Sequence, residues 1–457
     1  MMSEEGSEYK RLVEEIARVK GLSVAEVEEM VEKKIREFEG LIKKDAAALM
    51  LARSLGVEAE TAHADVVGSL KLADLVPGFF GIEVEGVVIE RGEPRESRRG
   101  DLFARLIIAD ETAAVPLVAW GPHAAKLRGV SLGDKAVFRN VSVRRRGNGV
   151  EVVFSERSSV EVEGSVEPGT LWRLSREYEA RTLVLECGAA SCSARACCLY
   201  GFTPDGTPAS LMVPGELGEA DYTRRVIAAS RVSLRGTSPI SARLYRGGVI
   251  DVVAGGQASR EMGDVRGEFS LSGVLAGYIV FRAKGGRLFI VGGETPAAIA
   301  VFDDEEFLEA ARSLGREVEV WGFRKSTRGL VANDCFKLNV LGPAAVRYSE
   351  GRLVEGGWIR ASASLLDMSV YTRCMGNEVL VTLRMLIDDG VGRVRAFTSG
   401  VEALGRLLGL GPEDVCGEGA ESIVEFAVEE ARGADYVFSG FNDVERKVMY
   451  VLEVEGD

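Results

Sequence analysis

Short runs of alternating apolar residues, separated by glycine turns, recur along this chain in one order: three strands, a short helix, two strands. The order is first read at Gly81–Gly92, Leu102–Asp110 and Ala113–Trp120. A helix at Gly121–Arg128 follows, then Asp134–Arg146 and Gly149–Ser155. It returns at Ser270–Phe281, Arg287–Val291 and Ala297–Phe302, with a helix at Asp304–Leu314, then Glu317–Phe323 and Gly329–Val340. A further round has strands at Trp358–Leu366, Val379–Asp388 and Arg393–Thr398 and a helix at Val401–Leu410. The segments Ser422–Glu430, Tyr436–Phe441 and Lys447–Val454 come after it. Residues 168–258 are also strand-like and read as a diverged copy. Five strands with a helix after the third, in about 90 residues, is the order of an OB-fold barrel. A period of about 90–100 residues means tandem small barrels rather than one large sheet.

Residues 8–56 differ and read as helices. Ser23 with Glu26 is a capping-box pair, and Val27, Met30, Val31, Ile35 and Phe38 follow at helical spacing. A second helix from Lys44 to Leu55 stops at Gly56, a C-terminal cap residue. The expected fold class is therefore mainly β: tandem OB-fold barrels, four in number, behind a small N-terminal helical domain. The boundaries expected are 1–66 for the helices, 67–165 and 166–260 for the first two barrels, 263–343 for the third and 350–457 for the C-terminal barrel. Val160–Pro168, Gly256–Glu268 and Leu341–Gly356 read as linkers.

The formal net charge is −14, which disfavours a basic coat over the whole chain. The charge is uneven. Residues 401–457 hold 4 basic and 14 acidic side chains, whereas residues 81–160 hold 13 basic and 11 acidic. No run of 18 apolar residues suggests a membrane span. The charged start MMSEEGSEYKRLVEE is not a secretory signal, so a cytoplasmic, nucleoid-associated protein is expected. Glu and Arg are plentiful and there is a single Gln, a thermophile-like balance.

OB barrels bind single-stranded nucleic acid with a basic groove and aromatic side chains that stack on bases. The strand 1–2 loop of the first barrel carries Arg95, Arg98 and Arg99, and strand 2 carries Arg105. The strand 4–5 hairpin carries Arg144, Arg145 and Arg146. Trp120 ends strand 3 and Phe154 lies on strand 5, both candidates for stacking, with core or rim packing as the alternative for each. The third barrel repeats this chemistry in weaker form, with Phe281 at its strand 1–2 turn and Trp321, Phe323, Arg324 and Lys325 around its strand 4–5 turn.

Three segments carry a family resemblance. KKIREFEGLIKKDAAALMLARSLGV (33–57) resembles the helical N-terminal region of archaeal replication protein A. LADLVPGFFGIEVEGVVIERGEPRE…LFARLIIADETAAVPLVAW (72–120) resembles the first barrel of that family, and residues 386–455 resemble its C-terminal barrel. The middle, 168–345, resembles it poorly. The resemblance implies single-stranded DNA binding in replication, recombination and repair, with Trp120 and Phe154 as the stacking pair. It implies smaller subunits of the same type, or replication and repair proteins, as partners for the acidic C-terminal barrel. An RNA- or ribosome-associated protein and a protein-binding scaffold are the two alternatives.

The family's C-terminal barrel often holds a zinc ribbon. Here the corresponding stretch LDMSVYTRCMGNEVL (366–380) has only Cys374, and one thiolate cannot hold a tetrahedral zinc. Cys187, Cys192, Cys197 and Cys198 are read as buried thiols or a disulfide rather than ligands, because adjacent strand residues face opposite ways. No metal, cofactor or catalytic motif is expected: two histidines, no P-loop, no GxSxG and no HExxH are present. The pairs Asp303-Asp304 and Asp388-Asp389 read as turn and cap residues.

Overall fold

The computed structural model describes residues 5–37, 42–57, 69–97, 100–193, 195–215, 222–257, 262–327 and 329–456. Three helices, Glu5–Lys20, Val24–Glu37 and Lys44–Ser54, come first. Ser23 and Glu26 form the reciprocal cap: the Ser23 N–H donates to the Glu26 carboxylate at 2.7 Å and the Glu26 N–H to the Ser23 hydroxyl at 3.2 Å. Gly56, at φ +67°, ends the third helix in a conformation that costs other residues.

Four five-stranded barrels follow, all closed in the circuit strand 1-2-3-5-4-1 with strands 3 and 5 parallel. Barrel 1 uses Ile82–Arg91, Leu102–Ala109, Ala114–Trp120, Asp134–Arg146 and Gly149–Phe154, with a 3-10 helix at Gly121–Leu127. Barrel 2 uses Thr182–Cys192, Ala196–Phe202, Pro208–Pro214, Arg225–Arg235 and Ile240–Gln257. Its fifth strand runs unbroken over 18 residues. Barrel 3 uses Leu271–Val280, Gly286–Val291, Ala297–Val301, Arg316–Ser326 and Gly329–Pro343, with a helix at Asp304–Ala311. Barrel 4 uses Gly357–Met375, Glu378–Asp388, Arg393–Ser399, Asp435–Asp443 and Val448–Gly456. The protein is thus mainly β, with tandem OB barrels and a helical start.

Four sequence expectations change. Residues 422–430 are not a strand: they lie in the helix Ala420–Ala431, where Val424 and Val428 pack on the core four residues apart. The supposed linker 160–168 contains the strand Ser159–Ser165, paired with strand 4 of barrel 1, and the supposed linker 256–268 contains the helix Met262–Phe269. Strand 1 of barrel 4 runs nine residues past Leu366, to Met375, through a register shift between Leu365 and Asp367. Its extension carries exposed polar residues, which masks the alternation a sequence reading depends on.

The chain packs as two units. The first holds residues 1–190, 199–214 and 218–262, and the second 191–198, 215–217 and 263–457. In the first unit barrels 1 and 2 are joined through polar groups. The Arg91 guanidinium makes two bonds to the Asp251 carboxylate, at 2.8 and 2.7 Å, and the Leu132 N–H donates to the same carboxylate at 2.9 Å. The Thr182 hydroxyl donates to the Ile89 carbonyl at 2.6 Å. In the second unit barrel 4 lays an outer face built from its strands 2 to 5 on barrel 3. The Ser399 hydroxyl accepts from the Tyr278 N–H at 3.0 Å and donates to the Tyr278 carbonyl at 2.9 Å, while Thr382 donates to that carbonyl at 3.1 Å. Ala276, Phe289 and Val291 of barrel 3 pack there on Phe441, Val448 and Tyr450.

Six of the seven cysteines form disulfides: Cys192–Cys197, Cys198–Cys335 and Cys374–Cys416; the seventh, Cys187, is buried and its thiol donates to the Ala189 carbonyl at 3.5 Å. Strands 1 and 2 of barrel 4, where a ribbon is expected in the family, meet at the two-residue turn Gly376-Asn377. Among the described residues no group of three or more His, Cys, Asp or Glu is placed to hold a metal, and no helix is long and apolar enough to cross a membrane.

Candidate nucleic-acid interface

Antiparallel pairing sets the outer face of barrel 1. Arg95 lies opposite Phe103, and Phe103 opposite Trp120, so the three share one row and one face of the sheet. Two residues along, Arg105 pairs with Val118, and Val118 with Val153. Trp120 is 42% exposed, and its ring lies against Phe103 with centroids 4.4 Å apart and planes tilted by 48°. This pair is a fixed aromatic platform open to solvent. Phe103 is missing from the sequence-based set, although its place opposite Trp120 follows from the hairpin register.

Phe154 does not belong to this face. It lies beside Ala119, one residue out of phase with Trp120, so the two-residue alternation turns it inward, where it is 1% exposed. It is a core residue and offers no stacking surface. The Lys126 ammonium lies over its ring, 5.9 Å from the centroid.

The arginines divide into two sets. Arg144 and Arg146 share the buried Glu151 carboxylate, which takes two bonds from Arg144 at 2.8 and 2.6 Å and a third from Arg146. Outside the sequence-based set, Arg139 pairs with Glu83 and Glu161, and Lys135 with Glu85 and Glu163. Much of the positive charge counted from the sequence is therefore met within the barrel. Arg95, Arg105 and Arg145 have no carboxylate partner among the described residues. Burial, and then the charge of Arg146, hold the Arg105 pKa below its ordinary value. A guanidinium stays charged regardless, so Arg105 is a cation short of a counter-anion. Arg98 and Arg99 lie outside the described residues.

Barrel 3 presents a second aromatic pair. Phe281 is half-buried, and Phe302, 57% exposed, sits 5.8 Å from it between centroids. Phe302 follows the last residue of strand 3, as Trp120 ends strand 3 of barrel 1. It is absent from the sequence-based set, yet aligning AVPLVAW (114–120) with AAIAVF (297–302) reveals it. Trp321 is corrected: at 6% exposed it is buried. Phe323 is half-buried against the barrel core, and Arg324 and Lys325 are exposed on the strand 4–5 hairpin.

Among the described residues the other two barrels differ at the corresponding places. In barrel 2 every residue of strand 2, Ala196–Phe202, is buried. In barrel 4 the position equivalent to Trp120 is Ser399, buried beneath Tyr278. The paired carboxylates act as caps and turns. Asp303 accepts from the Glu305 and Glu306 N–H groups, and Asp389 from those of Leu353, Val391 and Gly392.

No family model and no curated protein matches the chain. Solved structures do. A replication factor A related protein from Methanobacterium thermoautotrophicum is 28% identical over 21% of this chain and 90% of its own, with a TM-score of 0.19. A replication protein A heterotrimer bound to single-stranded DNA is 12% identical over 85% of this chain and 96% of its own, at 0.28. Fission yeast Pot1 with single-stranded DNA is 8% identical over 43% of this chain and 90% of its own, at 0.19. The structural neighbours of this chain include replication protein A OB-fold proteins, archaeal ones among them, at low overall superposition and low identity.

Proposed function

We propose that this chain is a single-stranded DNA-binding protein of the replication protein A type, which contacts DNA on barrels 1 and 3 and carries out no catalysis itself. The observation that carries this reading is the row Arg95–Phe103–Trp120, an exposed aromatic platform flanked by a cation and adjacent to the unpaired Arg105. Bases stack on Trp120 with little sequence preference, and the guanidinium groups neutralise phosphates. Phe281, Phe302, Arg324 and Lys325 supply a second, weaker contact. Coating exposed strands in replication, recombination and repair follows from this chemistry and from the family resemblance, as does a place in the cytoplasm at the nucleoid. Three disulfides suit the intracellular proteins of hyperthermophilic archaea.

Barrel 4 serves protein partners in this reading. Its nucleic-acid face is already packed on barrel 3, its last 57 residues are strongly acidic, and Phe426 stands 69% exposed. Beside Phe426 an apolar groove is lined by Leu407, Leu410, Ile423 and Tyr436. A basic amphipathic helix of a smaller subunit or repair protein fits that chemistry.

Titration of fluorescent oligo(dT) and oligo(U) at two salt concentrations tests the proposal. Tight, salt-dependent binding of oligo(dT) is the expected result. Preference for oligo(U) would move the chain to the RNA-binding alternative. Weak binding of both without salt dependence would leave the protein-scaffold reading.

A further inference from the structure

We infer that a cleft at the junction of barrels 1 and 2 is a binding site for backbone phosphate, through which barrel 2 joins the DNA contact made by barrel 1. The inference rests on the function proposed above. The cleft, of about 300 Å³, lies beside the aromatic platform and shares Phe103 with it; Arg95 and Arg105 line it from barrel 1. Barrel 2 contributes Arg181 and Arg231, neither of which the sequence singles out.

None of these four guanidinium groups has a carboxylate partner among the described residues. Glu90, Glu93 and Glu179 also line the cleft, and the Glu90 carboxylate accepts the Arg181 backbone N–H at 3.0 Å. Burial, and then the charge of Arg95, lower the Arg231 pKa. Four guanidinium groups without an ion pair face three carboxylates there, and Arg95 and Arg231 repel each other, an excess of positive charge that the cleft does not meet internally. A dianion or a chain of monoanions relieves it.

Arg231 is also placed rather than free. It sits in the left-handed region at φ +61°, at a register shift between strands 4 and 5 of barrel 2, a conformation that non-glycine residues adopt at a cost. Its side chain lies on Gly92, where an added Cβ would come within 2.7 Å of the Arg231 Cδ, and its Nη1 donates to the Gly247 carbonyl at 3.4 Å. The Glu93 N–H donates to the same carbonyl at 3.1 Å, which fixes the strand 1–2 loop of barrel 1 to barrel 2. The Arg91–Asp251 pair holds the two barrels in register behind the cleft. A strand leaving Trp120 past Phe103 therefore meets cations from both barrels.

The test compares the intact chain with Arg181→Gln and with Arg181→Gln/Arg231→Gln, on oligo(dT) of about 6 and about 20 nucleotides, since one OB fold covers about 4–16. The exposed Arg181 single variant guards against misfolding of the double one. Each lost phosphate contact on a single strand lowers the salt slope, d log K/d log[salt], by about 0.7 in magnitude. The double variant is expected to lose about 1.4 of slope and about 10-fold in affinity for the longer strand, the single variant about half that slope, and both to bind the shorter strand as before. Unchanged affinity and slope on the longer strand, in a chain that still binds DNA, would overturn the inference and leave the proposed function standing. Failure of the unaltered chain to bind either strand would end both. Displacement by inorganic phosphate beyond that by chloride of equal ionic strength, with the double variant's strand affinity unchanged, would assign the cleft to a free anion and also overturn it.

Discussion

Phe103 and Trp120 face each other across the strand 2–strand 3 ladder of barrel 1, their rings 4.4 Å apart. Each ring restrains the other, so in the proposed function a base stacking on Trp120 would meet a surface that is already ordered, at a smaller cost in side-chain entropy.

Trp120→Ala is expected to weaken oligo(dT) binding by about 1–3 kcal/mol while leaving the salt slope unchanged, because stacking releases no counterions. Phe154→Ala is expected to do the reverse: it opens a cavity in the barrel 1 core and costs about 3–5 kcal/mol of stability. Fluorescence titration and urea unfolding of the two variants separate the roles. Equal effects of both on binding, at matched stability, would contradict the inward placement of Phe154.

Asp251→Ala removes the partner of a nearly enclosed guanidinium, since the side chains of Arg91 and Asp251 are only 13% and 12% exposed. Breaking such a pair from one side costs about 3–5 kcal/mol. Thermal unfolding should show the barrel 1–barrel 2 unit melting first in this variant. An unshifted melting temperature would mean that the pair does not hold the barrels together.

Asp205 gives the protein an acid-sensitive point. Burial alone would raise its pKa, but bonds from the Thr203 hydroxyl and the Trp172 indole, with further bonds from Thr207, bring it down from 3.8 to about 2. A folded value below the unfolded one contributes stability above pH 4, and that contribution is lost as pH falls through 2. The side chain is partly solvated, so the effect is about 1 kcal/mol. Asp205→Asn should be less stable than the unaltered protein at pH 6 and converge with it near pH 2. Curves that stay parallel from pH 6 to pH 2 would refute the assignment.

The Cys374–Cys416 bridge spans 42 residues of barrel 4. Closing a loop of that length is worth about 3–4 kcal/mol against the unfolded chain. Cys416→Ser should lower the barrel 4 transition in denaturant, and a reducing agent should lower the unaltered protein by more than it lowers the variant. A variant as stable as the parent would show that the bridge contributes nothing.

The architecture was largely legible because its signals are local. Strand 4 of barrel 1 runs over Asp134–Arg146 as its alternation indicates, and the Ser23–Glu26 cap is a three-residue pattern. The candidate site was legible only in part. Trp120 and Arg105 lie on one outer face of barrel 1, but Phe154 shares the parity of the core residue Val152, a clue in plain view. Glu151 lies close in sequence to the arginines it neutralises, whereas Glu83, Glu161 and Asp251 reach theirs only through barrel closure or barrel packing. Arg181 and Arg231 meet Arg95 and Arg105 in one cleft through such packing alone. Residues 422–430 were hard to read because a short apolar run fits a buried strand or a helix equally well.

The outward position at the end of strand 3 is Trp120 in barrel 1, Pro214 in barrel 2, Phe302 in barrel 3 and Ser399 in barrel 4. An aromatic side chain there faces water; the serine is sealed against a neighbouring barrel by two bonds to Tyr278. On the proposed function, one repeated surface is put to two uses, and a single side chain marks which. A barrel that docks its sibling through that face would then be withdrawn from the ligand, so adding barrels to such a chain would lengthen the scaffold without lengthening the footprint in proportion.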